Sequence, residues 1–398
     1  MISVFYVPYQ KVFGYSNLQM GLLLTIYSVI GTPGSLIGGA LADMWSPKKI
    51  LVGSCIASAF CGYSLCTIPP FKIAVVIYAI MSIPMGWLAW TPYNKCVAVM
   101  AIDGDEGRLY GLAATFDSLL TMSLTLGLTV LFGDAIGEVG NFRILLIIMS
   151  SVYLVAGILL YFFYNYDFWA ARAGIDVSSK RFKLDLSGYK ATIKTPVPWV
   201  CGLLVMGMYI AATGTNYLSP YLNTVYIMPV GLASVFGIII RYGCRMICNP
   251  CGGWFRDMKL GGSTPKLVWI TTVLVFIVAG ALLFLPQTES MAVPATILAL
   301  VLVSIFRFNS SSESTTFRVL KKIPMSMLGS IMGLGYMIAY SSDMWLPSVI
   351  GNILDKNGVK GYNFVFLIMV LGMALASICA YILHRMAKRE MAGEMIIK

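Results

Sequence analysis

Six ionisable side chains stand inside or at the ends of stretches that are otherwise apolar: the bases Lys95, Arg241, Arg245 and Arg307, and the acids Asp117 and Asp343. The chemistry they suggest is binding. An arginine held away from water presents a planar fork of donors that chelates carboxylate or phosphate. A charge kept in apolar surroundings is costly and by default marks a function. Plus outnumbers minus in this group, which favours an anionic ligand. Catalysis finds no support, because the one histidine, His384, lies near the chain end and no Gly-rich phosphate loop or paired carboxylates accompany it. Cys244, Cys248 and Cys251 share one helical face, but without a nearby histidine they read, like the other cysteines, as small hydrophobes. No metal and no cofactor is expected.

The elements that carry these charges must cross a membrane. The chain is 58% hydrophobic and 11% charged, with mean hydropathy +0.81, against about 25% charged in an average globular protein. Apolar runs read as spans at 18–41, 50–68, 73–92, 110–132, 144–164, 199–218, 227–251, 267–285, 293–308, 325–350 and 364–383. Each approaches or exceeds what about 30 Å of hydrocarbon requires at about 1.5 Å per residue. Lipid offers the backbone no partners, so these runs are helices. A polar, basic stretch, 165–195, divides them into two sets.

With both chain ends placed in the cytoplasm, nineteen Lys and Arg fall in cytoplasmic loops and the tail, and five in outer loops. That is the bias of the positive-inside rule, and it makes the formal net charge of +11 a topology signal rather than a nucleic-acid footprint. On this scale Arg241 and Arg307 lie about fourteen residues, roughly 21 Å, from the outer ends of their helices, below the midplane. Lys95 and Arg245 lie lower still, where snorkelling to the interface is an equally good account. Asp117 sits at a depth similar to Lys95, which suggests an ion pair. Asp343 lies farther out, and reads evenly as a coupling carboxylate or as a cap for the turn toward Pro347.

A motif recurs between helices. Gly38-Gly39-Ala40-Leu41-Ala42-Asp43-Met44, followed by Lys48 and Lys49, returns as Gly252-Gly253-Trp254-Phe255-Arg256-Asp257-Met258, the aspartates being 214 positions apart (257 minus 43). A repeat at about half the chain length makes one half a structural echo of the other. Both copies resemble the loop signature between helices 2 and 3, and 8 and 9, of the major facilitator superfamily of secondary transporters. Tyr15-Ser16-Asn17-Leu18-Gln19-Met20-Gly21 further resembles its sugar-phosphate and organic-anion permease branch.

The resemblance implies an all-α membrane fold of two pseudo-symmetric six-helix bundles. The expected division is an N-terminal bundle at 1–164, a cytoplasmic linker at 165–195, a C-terminal bundle at 196–384 and a cytoplasmic tail at 385–398. Only seven residues precede Pro8, where its counterpart Pro220 follows about two dozen, so most of helix 1 is expected to be missing from this chain. It implies gating through Gly39, Asp43, Lys48, Lys49, Gly253, Arg256 and Asp257. Asp43 would face the start of 325–350, and Asp257 the start of 110–132 near Arg108. The copies depart from the signature, with Met44 and Met258 where a basic residue is usual, and Ser46 and Leu260 where a glycine is usual.

The substrate cavity is expected at Arg241, Arg307, Asn216, Trp87 and Trp90, with Lys95, Asp117 and Asp343 in ion-pair or coupling roles. The polar run Thr213-Gly214-Thr215-Asn216 suggests a discontinuous, cavity-facing helix. The Gly-Pro signature of many drug antiporters is absent from 110–132. The expected function is alternating-access transport of a small organic anion. The alternatives are a proton-coupled or facilitative carrier of neutral sugars or nucleosides, and a transporter-shaped receptor that does not transport. Expected partners are a small-molecule cargo, H+ or a counter-anion and the bilayer, without nucleic acid, around a monomer in the plasma or inner membrane.

Overall fold

The computed structural model of the chain describes residues 2, 4–34, 41, 45–89, 92–93, 96–97, 100, 106–172, 193–310, 312–317, 319–320 and 325–392, with backbone alone at 106–114, 289, 312, 314 and 325–330. No strand occurs among the described residues, and seven helical stretches are long and apolar enough to cross a membrane.

The first half comprises α1 (Tyr6–Phe13), α2 (Asn17–Gly31), α3 (Pro47–Leu65), α4 (Phe71–Ser82), α5 (Glu106–Phe132) and α6 (Val139–Phe163), followed by the short α7 (Tyr166–Arg172). The second comprises α8 (Val197–Gly214), α9 (Leu218–Val225), α10 (Val230–Ile238), α11 (Cys244–Lys259), α12 (Thr264–Phe284), α13 (Ala292–Asn309), the short α14 (Ser312–Thr316), α15 (Met325–Tyr340), α16 (Leu346–Asn357) and α17 (Gly361–Met391). The tail expected from residue 385 is therefore helical as far as Met391. A helix that already satisfies its own backbone continues past the bilayer edge while its residues favour it, and Met386, Ala387 and Lys388 do so.

Four expected spans are interrupted, and each interruption falls beside a chemically distinct residue. The first half's span at 73–92 passes from α4 into a π-helical turn, Ile83–Trp87, where Pro84 lacks the N–H of a regular ladder. The span at 227–251 carries a second π turn, Ile239–Gly243, between α10 and α11. The span at 325–350 ends α15 early and passes through a 3₁₀ turn, Ser341–Met344, into α16. The run from Thr213 gives a 3₁₀ turn at Thr215–Tyr217 between α8 and α9, the discontinuity its composition predicts.

The expectation of a turn at 252–257 is corrected. The second copy of the Gly-Gly motif is helical and lies inside α11, with the turn coming at Gly261 and Gly262, whose φ of 60° and 74° glycine alone adopts freely. Gly252 serves instead as a contact point, because a Cβ there would overlap the carbonyl oxygen of Phe308 on α13.

The largest core unites both halves. Tyr6 and Tyr9 from α1, Phe142 from α6, and Tyr217, Tyr221 and Phe366 from the second half are all fully buried there. Tyr6 and Tyr217 meet edge to face at 5.6 Å across the two halves.

Candidate functional site

Three arginines, two of them one helical turn apart and the third distant in sequence, line one cavity of about 420 Å3. Arg241 comes from the π turn, Arg245 from the first turn of α11, and Arg307 from α13 near its end. Opposite polarity comes from Asp343 on the 3₁₀ turn before α16, with Thr213 and Asn216 from the end of α8 and the turn after it. Tyr27 and Ser28 of α2 complete the wall, so the cavity lies between the two halves.

The local reasons for this convergence are the interruptions. A π turn inserts one residue into the helical register and widens the helix. Here Cys244 N–H bonds Ile239 O instead of the regular partner, and both Arg241 and Tyr242 line the cavity. The 3₁₀ turns at 215–217 and 341–344 end regular helix where Asn216 and Asp343 stand.

Two internal hydrogen bonds hold the polar groups. Arg241 Nη1 donates to Asn216 Oδ1 at 3.4 Å, and Thr213 Oγ1 donates to Asp343 Oδ1 at 3.1 Å. Each spends only part of its acceptor's or donor's capacity, since a guanidinium has five N–H groups and a carboxylate about four acceptor sites.

Tyr242 is a residue that sequence reading missed. It stands in the wall of this cavity and of two neighbours, of about 360 and 290 Å3. The signal was weak, since a tyrosine beside an arginine in an apolar helix is common. The smaller neighbour is where Asp117 lies, with Tyr153. Its expected partner Lys95, and Trp90 from the expected cavity, lie outside the described residues. Glu313 was also missed; it accepts from Ser310 Oγ at 2.9 Å on the segment that follows Arg307.

Trp87 is not among the lining residues of the arginine cavity. Its Nε1 donates to Ile30 O at 2.7 Å, and the indole fills the space over Gly34. The π turn directs the ring to the neighbouring helix, so its polar atom is spent in holding the first half together.

Of the expected gating residues, Gly39 and Asp43 lie outside the described residues, and Lys49 is exposed. Lys48 Nζ stands over the Tyr161 ring, 5.6 Å from its centroid. In the second copy Arg256 and Asp257 pair with each other at 2.8 Å, and Arg256 Nη1 also donates to Thr315 Oγ1 at 2.7 Å. The side chain of Arg108, the partner expected for Asp257, is outside the description.

Two helical halves around an inward-lined charged cavity, with broken helices supplying its polar groups, define a secondary-transporter architecture. The chain belongs to the Major Facilitator Superfamily, whose model matches residues 1–342. It is 26% identical to the Escherichia coli K12 inner membrane protein YihN, over 98% of this chain and 92% of that one. It is 22% identical to the inner membrane protein YqcE of the same organism, over 96% and 89%. Among solved structures, a mutant of the nucleoside transporter NupG superposes with TM-score 0.74 at 14% identity, covering 96% and 95% of the two chains. A bacterial homologue of the human lysosomal transporter Spinster, in an inward-facing and occupied conformation, gives 0.65 at 14% identity, covering 98% and 92%. The protein is thus an integral inner membrane transporter of this superfamily.

Proposed function

We propose that the cargo is a small organic anion, carried chemically unchanged by alternating access through the arginine cavity. The observation that carries this reading is the charge of the wall: three guanidinium groups face one lining carboxylate. In surroundings poor in water a surplus of fixed positive charge is costly, and a bound anion relieves it. The planar forks of Arg241 and Arg307 suit a carboxylate, phosphate or sulfonate. A cavity of about 420 Å3 falls within the range of small-molecule sites. Asn216, Thr213 and Asp343 supply hydrogen bonding for the uncharged part of such a molecule.

The test uses the full chain purified in detergent. Thermal unfolding is recorded against phosphorylated, carboxylated, sulfonated and neutral solutes. A ligand at about a hundred times its dissociation constant stabilises by about 2.7 kcal/mol. The expected result is a raised midpoint with one anionic class, abolished in Arg241→Ala and Arg307→Ala. Stabilisation by neutral solutes alone, or arginine variants that respond like the parent, overturns the anion reading. Counterflow of the stabilising solute in vesicles separates a carrier from a receptor.

A further inference from the structure

The segment Tyr15–Gly21 has a role independent of the cargo. A helix leaves its first N–H groups without intrahelical partners, and the start of α2 resolves this in two parts. Ser16 and Gln19 form a reciprocal capping box, Gln19 N donating to Ser16 Oγ at 3.2 Å and Ser16 N to Gln19 Oε1 at 3.0 Å. The remaining donors are met from the other half of the molecule. Asp355, in the last turn of α16, accepts from Asn17 N at 2.9 Å and from Leu18 N at 2.7 Å, and from Asn17 Nδ2 at 2.9 Å.

The same arrangement occurs, related by pseudo-symmetry, on the other side. Asp134, just past the end of α5, accepts from Gly231 N at 2.7 Å, near the start of α10. Leu18 and Gly231 are 213 positions apart (231 minus 18), close to the 214 that relates the Gly-Gly motifs. Each carboxylate therefore meets the equivalent backbone N–H of the opposite half, at the positive end of a helix. Both contacts lie at the molecule's end opposite the basic loops. Beneath the Asp355 contact the helices are in backbone contact: a Cβ on Gly21 would overlap Pro347 O, a Cβ on Gly351 would overlap Asn17 O, and Thr25 Oγ and Ser348 Oγ are 2.7 Å apart.

We infer that Asp355 and Asp134 are paired outer latches, each tying a helix N-terminus of one half to the other, and that together they set how often the cavity opens to the outside. Carriage requires the halves to part at this face, so the two carboxylates position the halves for transport without touching cargo. Charge-assisted bonds to two backbone N–H groups at Asp355 and to one at Asp134 are strong enough to bias such an equilibrium and weak enough to break in each cycle.

The experiment places a reporter thiol beneath the latch, Thr25→Cys, in the full chain reconstituted in vesicles. Its reaction with a membrane-impermeant maleimide added from the outer side is followed, with labelling of the native cysteines subtracted using the parent chain. Asp355→Ala and Asp134→Ala are each expected to speed labelling about tenfold, and the double variant further. Lys356→Ala, a neighbouring outer-face change, leaves labelling unchanged. Unchanged or slower labelling in both aspartate variants overturns the proposal, as does an equal rise with Lys356→Ala. If the alanine variants do not fold, the isosteric Asp355→Asn and Asp134→Asn carry the same test, with a smaller rise expected and the same overturning results.

Discussion

Arg241 and Asn216 are joined across the second half by a single hydrogen bond of 3.4 Å, from the π turn of one broken helix to the 3₁₀ turn of another. The bond is long, and it leaves most of the guanidinium's donors to the cavity. An arginine so oriented is preorganised for an incoming acceptor, because a neighbour already fixes its position.

Removing that orienting group tests the point. Asn216→Ala is expected to weaken binding of the stabilising anion by about tenfold, 1.4 kcal/mol, while Arg241→Ala abolishes it. Isothermal titration of the two purified variants distinguishes these outcomes.

Asp343 is expected to matter for the uncharged part of the cargo rather than for its charge. Asp343→Asn keeps an acceptor for Thr213 and removes the negative charge from the cavity wall. Binding of a simple inorganic anion should therefore hold or tighten in this variant, and titration with inorganic phosphate or sulfate against the parent measures it.

Trp87 offers a control without a binding role. Trp87→Phe deletes the donor to Ile30 O and keeps most of the ring over Gly34. Losing a hydrogen bond of this part-buried kind costs about 0.5–1.5 kcal/mol. A lowered unfolding midpoint with unchanged anion affinity is the expected pair of results.

The two members of the Arg256–Asp257 pair are unequal. Asp257 is 60% exposed and Arg256 only 11%. Asp257→Asn should cost about 0–1 kcal/mol, as exposed ion pairs do. Arg256→Ala also strips Thr315 of a donor and removes a packed side chain, so its cost should be larger. Denaturation midpoints of the two variants, side by side, check the order.

Gly252 should tolerate no side chain. Gly252→Ala places a methyl group where Phe308 O lies, and overpacking of this kind costs about 1–3 kcal/mol. The neighbouring Gly253→Ala serves as comparison in the same thermal measurement.

The amino-acid sequence by itself determined the membrane class and the all-α fold. Bilayer thickness, backbone satisfaction and the cost of charge act on composition along one dimension, and the chain records them directly. It also marked Arg241, Arg307, Asn216 and Asp343, because a polar group in an apolar helix stands out against its neighbours. Tertiary structure decided where those groups point. Trp87 and Arg241 both sit on π turns, yet one donates to the neighbouring helix and the other lines the cavity. The second Gly-Gly motif reads as a turn and folds as helix, because a close-packed crossing with α13 requires small residues as much as a bend does. The outer latches were beyond linear reading for a further reason. Asp134 and Asp355 are 221 positions apart, not 214 (355 minus 134), and what makes them equivalent is the pair of helix N-termini they reach in the opposite half.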